Sequence, residues 1–159
     1  MPLSFRACCF AALLGLAAGC SKNAGHDHAA AGGHAHTAPH GGQLVPLGTH
    51  AYNLEFVREP GAGKLIAYVL DGHAENFVRI QAPSFAVLAT VGGEKLSLLL
   101  QATGNPATGE TVGDTAQFEA QAEWLKTAAA IDGVVGALDI RGNKFENVAF
   151  HLPPLAAKP

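Results

Sequence analysis

The sequence predicts an all-β domain: an antiparallel β-sandwich, immunoglobulin-like or of a similar Greek-key type, with one short helix and a flexible lead before it. Two observations predict this class. Short apolar runs recur along residues 43–152, and residues typical of turns separate them. The chain of 159 residues is 48% hydrophobic and 14% charged, so it has enough apolar side chains for one core.

The strand predictions follow the positions of turn residues. The breaks contain Pro-Gly, Gly-Gly, Gly-Asn-Pro, Asp-Gly and Gly-Asn sequences. Short strands at this spacing favour an antiparallel sandwich or barrel. The predicted strands are residues 43–47, 50–59, 64–71, 77–80, 85–91, 95–102, 115–121, 134–141 and 145–152.

One hairpin can be given a register. If Glu59 lies opposite Lys64 across the Pro-Gly-Ala-Gly loop, the remaining pairs of both strands follow. The same register sets His50 opposite His73 at the open end of the hairpin. These two histidines are a second candidate metal pair, and the alternative is a polar end of the sheet. Alternation places one set of side chains on the core side: Tyr52, Leu54, Phe56, Leu65, Ala67 and Val69.

The helical candidate is residues 122–131, whose sequence is AEWLKTAAAI. Its apolar residues recur at helical spacing and are expected to pack across the end of the sandwich. They are Trp124, Leu125, Ala128 and Ile131. Residues 153–159 are predicted to be a short C-terminal tail.

Residues 1–19 have the organisation of an export signal. A single positive charge at Arg6 precedes an apolar run over residues 7–18, which ends in small residues. A helix of about 12 residues spans roughly 18 Å, which is too short for the ~30 Å hydrocarbon core of a bilayer. A permanent transmembrane anchor is therefore not expected from this segment.

The segment Leu16-Ala17-Ala18-Gly19-Cys20 resembles the lipobox of bacterial lipoproteins. That family prefers leucine three residues before the cysteine, where this chain has Ala17. The resemblance implies cleavage before Cys20, lipidation of Cys20 and anchoring in the cell envelope on the periplasmic side. Ser21 follows the cysteine, which in Gram-negative lipoproteins implies the outer membrane rather than the inner one. The alternative is an ordinary secretory signal with an incidental cysteine.

Residues 20–42 form a predicted flexible lead, because they are mostly alanine, glycine, histidine and small polar residues. Imidazole is the commonest metal ligand, and His-x-His pairs on a loose chain can surround one ion. Imidazole with a nearby carboxylate suits Cu²⁺, Zn²⁺ or Ni²⁺. The alternative is a low-complexity spacer. The lead holds five of the eight histidines: His26, His28, His34, His36 and His40.

The segment PHGGQLV, residues 39–45, resembles the histidine-rich leads of bacterial envelope proteins that are linked to heavy-metal efflux. The resemblance implies a role in metal handling, for example as an accessory component of a metal-efflux system. Some of those proteins are efflux adaptors with a long helical hairpin, which has no counterpart in this sequence.

Composition and motifs limit the remaining functions. A net charge of −3 gives no electrostatic basis for binding nucleic acid. The sequence lacks G-x-S-x-G, H-E-x-x-H and paired C-x-x-C motifs, so neither catalysis nor an organic cofactor is predicted.

Our preferred hypothesis is binding or buffering of divalent transition metal through the lead. This binding should weaken below about pH 6 as imidazole is protonated. The second is a non-catalytic module that contacts an envelope protein partner, with the lead as spacer.

Overall fold

The fold is taken from a computed structural model that describes residues 36–153. The predictions for Cys20, His26, His28 and His34 therefore lie outside the described residues. Ten strands occur in the described range: β1 (Gln43–Leu47), β2 (Tyr52–Glu59), β3 (Lys64–Asp71), β4 (Ser84–Val91), β5 (Glu94–Ala102), β6 (Gln117–Gln121), β7 (Ile131–Val135), β8 (Leu138–Ile140), β9 (Asn143–Phe145) and β10 (Val148–Leu152).

Eight of these strands form one antiparallel sheet, and its order is β1-β2-β3-β6-β5-β4-β7-β10. Strands β8 and β9 pair separately. The large sheet curls until its two edge strands, β1 and β10, approach each other, which gives a nearly closed barrel. The predicted all-β, antiparallel class is confirmed. The layers expected of a sandwich are opposite walls of this one curled sheet.

The hairpin of β2 and β3 has the predicted register, from Glu59 opposite Lys64 to Tyr52 opposite Asp71. Its predicted core side is also confirmed, because Tyr52 is partly buried against the core and the other five side chains are buried. Aromatic rings connect the walls: Phe56 of β2 stacks on Phe150 of β10, with ring centres 4.2 Å apart. The alternation of apolar residues therefore specifies the interior of this barrel.

Three predicted strands differ from the observed ones. The strand predicted over 134–141 is divided into β7 and β8. Gly136 N still donates to Ala86 O of β4, and after it the chain leaves the large sheet to form β8, which pairs with β9. The strand predicted over 145–152 is divided into β9 and β10 at Asn147, whose φ is +55°. Residues 77–80 contribute only two isolated bridges.

The helix predicted over residues 122–131 is shorter and of another type, a 3₁₀-helix over Glu123–Lys126. The Arg58 guanidinium from β2 donates to the carbonyl oxygens of Leu125, at 3.0 Å, and Ala128. Arg58 therefore supplies these carbonyl oxygens with hydrogen-bond donors, although the helix does not continue past Lys126. Within residues 36–153, no helix has the length and apolarity needed to cross a membrane. Three of the four residues of the predicted apolar stripe are buried: Leu125, Ala128 and Ile131.

Gly133 of β7 lies opposite Phe150 of β10, and the phenyl ring occupies the space above the glycine. A Cβ atom at Gly133 would overlap the Phe150 ring. We expect Gly133→Ala to lower the free energy of unfolding in urea by about 1–3 kcal/mol, because the ring must leave its stack on Phe56. Gly61→Ala is the control, since a Cβ there meets no atom within 4 Å. Equal destabilisation by both substitutions would contradict this account.

Candidate functional site

The outer face of the barrel carries a buried carboxylate in the middle of β2. Glu55 lies opposite Tyr68 of β3, which in turn lies opposite Gln117 of β6. Because Leu54 and Phe56 point into the core, Glu55 points outward, where a carboxylate normally meets water. Its side chain is nevertheless 0% exposed. Another part of the chain therefore covers it.

The cover is the end of the histidine-rich lead, from His40 to Gly42. His40 N and Gly42 N donate to Glu55 Oε1 at 2.8 and 2.9 Å, and His40 Nδ1 lies 2.9 Å from Glu55 Oε2. A Cβ atom at Gly42 would collide with the backbone of Phe56, so this close approach requires glycine. Beside an ionised carboxylate, which can only accept, His40 Nδ1 is the donor, and a neutral imidazole in that tautomer has its lone pair at Nε2.

Two aromatic side chains fix the plane of the His40 ring. It stacks on Tyr68 with ring centres 3.9 Å apart and an angle of 13°, and Phe77 lies 5.6 Å away. Burial raises the pKa of Tyr68 above its usual value, and the nearby carboxylates of Glu119 and Glu55 raise it further. The phenol is therefore neutral at physiological pH. The three rings line part of a cleft of about 280 Å³ whose other residues are Asn105, Thr108, Glu110, Ala116 and Gln117.

A second contact joins the lead to the domain at His36. Gly41 N donates to Ala38 O at 3.1 Å, and this turn reverses the chain just before β1. His36 then lies against His73, with ring centres 5.6 Å apart and an angle of 68°. The lead, which was predicted to be flexible up to residue 42, is thus in contact with the domain from His36 onward.

His73 belongs to a well-bonded turn after β3. Asp71 Oδ1 accepts from Glu75 N at 3.0 Å, and Asp71 Oδ2 accepts from Asn76 Nδ2 at 2.6 Å. The bond from Asn76 contributes most to holding the pKa of Asp71 below its usual value. Asn53 Nδ2 donates to the backbone oxygen of Asp71 at 2.9 Å. The turn that carries His73 is therefore fixed to the strand beside it.

The predicted histidines are distributed as follows. His36 and His40 lie on the domain, and His73 contacts His36. His50, the predicted partner of His73, is exposed in the turn before β2 with a φ of +64°. None of the ring contacts within residues 36–153 involves His50. In the same range, no three His, Cys, Asp or Glu side chains are grouped closely enough to hold a metal ion.

Glu55, Tyr68 and Phe77 were not among the predicted site residues. The hairpin register already places Glu55 beside Tyr68, and an acidic residue at the centre of an apolar strand is an available signal. The sequence pattern does not reveal that His40 covers them, because Pro39 and Gly41 indicate a turn before β1 but not which strand the turn contacts. No protein-family model, curated protein or solved structure matches this chain.

Proposed function

We propose that this protein is an envelope lipoprotein, anchored through Cys20, that binds or buffers Cu²⁺, Zn²⁺ or Ni²⁺ through its histidine-rich lead. The observation that carries the proposal is the contact between His40 and Glu55. A histidine that binds metal through one ring nitrogen usually donates its other N–H to a carboxylate or carbonyl, which fixes the tautomer and the ring orientation. Glu55 holds Nδ1 of His40 in this manner.

The His40 side chain is partly accessible to solvent. It is 37% exposed, and the stack on Tyr68 restricts rotation of the ring. The carboxylate of Glu55 also places a negative charge behind the imidazole, which favours an approaching cation. His40 is therefore an oriented ligand at the domain end of a segment that contains four further histidines.

The remaining ligands are expected to come from the same lead and from water. His26, His28, His34 and His36 supply imidazoles within the 15 residues from 26 to 40. Imidazole sites of this kind follow the general affinity order in which Cu²⁺ exceeds Ni²⁺ and Zn²⁺. With the lipid on Cys20, bound ions would be retained at the periplasmic face of the membrane, in reach of a metal-efflux system.

Calorimetric titration of Cu²⁺, Zn²⁺ and Ni²⁺ tests the proposal. The protein is residues 21–159, which retain every described residue, compared with a variant in which the five lead histidines are replaced by asparagine. A second variant, His50→Asn with His151→Asn, removes two exposed imidazoles elsewhere and is the matched control. We expect binding of about micromolar affinity or tighter in the control and a large loss in the lead variant. Equal binding by all three proteins would refute the proposal.

A further inference from the structure

We infer that His36 and His73 together form a two-imidazole chelate for one divalent transition metal ion. The inference rests on the proposed function and adds to it a ligand from the domain. His73 lies 33 or more residues beyond every histidine of the lead, so only the fold brings it to His36.

The separation of the two rings suits a shared ion. A zinc–imidazole bond is about 2.0–2.1 Å long, and two imidazoles on one tetrahedral ion therefore have ring centres roughly 5–6 Å apart. The rings of His36 and His73 are 5.6 Å apart and steeply inclined, at 68°. Stacked rings would direct their nitrogens in parallel, whereas inclined rings can direct one nitrogen each toward a common point.

The chain segments that carry the two histidines are held by contacts that do not depend on metal. On one side, His36 precedes the turn from Ala38 to Gly41, and the next residues are bound to Glu55. On the other side, the turn that carries His73 is bonded through Asp71. An ion would therefore join two positioned imidazoles rather than order a loose loop, which reduces the conformational entropy lost on binding.

The surroundings are open and favourable for a cation. His73 is exposed and His36 is partly exposed, so an ion has a direct path from solvent. Asp71 and Glu75 lie within two residues of His73 and contribute negative charge to this turn. Two imidazoles leave coordination positions for water, which is typical of a site that exchanges its ion. The pair thus suits a protein that buffers or transfers metal.

Zinc is the probe for the test, because it is diamagnetic and allows imidazole resonances to be followed by nuclear magnetic resonance. The proteins are residues 21–159 with the natural sequence, His73→Asn, His36→Asn, and the double variant. His50→Asn is the matched control, because asparagine tolerates the positive φ of that position. Calorimetry gives the affinity of each, and the ring resonances show which imidazoles bind.

We expect His73→Asn to weaken the tightest zinc binding by about tenfold or more. Even the loss of a residue that hydrogen-bonds a metal ligand lowers metal affinity by about 10–100-fold. The zinc-induced shift of the His36 ring resonances should disappear in the same variant, and the double variant should bind no more weakly than the worse single one. His50→Asn should bind zinc normally. If the natural sequence binds zinc and His73→Asn binds it equally well, the chelate is refuted but the lead remains the metal ligand. If the natural sequence binds no metal, the proposed function itself fails.

Discussion

Replacing Phe56 by alanine is expected to lower the free energy of unfolding by about 3–5 kcal/mol, which is the usual cost of deleting a buried phenyl ring. Phe56 is 2% exposed and stacks on Phe150 at 4.2 Å. The contact joins β2 to β10, which are far apart in the order of the sheet and are separated only by β1 at the incomplete closure of the barrel. Since small domains have a total stability of about 5–15 kcal/mol, the variant should unfold at much lower urea concentration.

Phe77→Ala is the matched control for Phe56→Ala. It deletes the same ring at a position that is 49% exposed, on the outer face of the barrel. The expected loss of unfolding free energy is about 1 kcal/mol or less, because about half of that residue's surface already contacts water. Similar urea midpoints for the two variants would show that the interior contact between β2 and β10 does not stabilise the fold as described.

Glu55→Gln is expected to reduce metal affinity by about 10–100-fold while leaving the fold intact. The glutamine oxygen can still accept from the backbone of His40 and Gly42. Its amide nitrogen, however, can only donate to the ring of His40, so Nδ1 becomes the acceptor and the proton moves to Nε2. Nε2, the proposed metal-binding nitrogen, then lacks its lone pair. Calorimetry with Zn²⁺ and Cu²⁺ measures the effect.

Glu119→Gln controls for the loss of a negative charge on the same face. Glu119 lies on β6, which is separated from the strand of Glu55 by β3, and it pairs with Lys64 at 2.7 Å. Its replacement should therefore leave metal affinity unchanged. Normal affinity in Glu55→Gln would exclude His40 as a ligand. The larger change, Glu55→Ala, leaves two backbone N–H groups without their acceptor and should also lower the free energy of unfolding by about 1–3 kcal/mol.

The fold was predictable from sequence where local pattern determines structure. The β2–β3 hairpin combines a strong turn sequence with strict alternation, and its register from Glu59 to Tyr52 was predicted correctly. The segment 122–131 has helical periodicity, yet its three buried residues reach the core through a short 3₁₀-helix and an irregular stretch after it. The periodicity reflects the burial of Leu125 and Ala128 in the core. It gives no indication that Arg58 donates hydrogen bonds to the carbonyl oxygens of these two residues.

The candidate site was predictable only in part, because its members meet through tertiary contacts. The lead histidines were identified by composition, but low-complexity sequence gives no sign that His40 contacts Glu55 or that His36 contacts His73. The predicted pairing of His50 with His73 assumed that the hairpin continues as regular strands. Instead, β2 begins at Tyr52, and His50 has a left-handed backbone conformation in the turn before it.

The order of the sheet has a consequence for how the barrel opens. Its edge strands β1 and β10 approach each other, but the described residues form no hydrogen-bonded ladder between them. The barrel can therefore widen along this line without breaking any backbone ladder, whereas separation anywhere else must break one. Amide hydrogens of β1 and β10 that face this gap should exchange with solvent without any opening of the sheet, and those of β3 and β6 only through global unfolding. The docked end of the lead continues directly into β1, so residues 36–42 are connected to one of the two strands that border this gap.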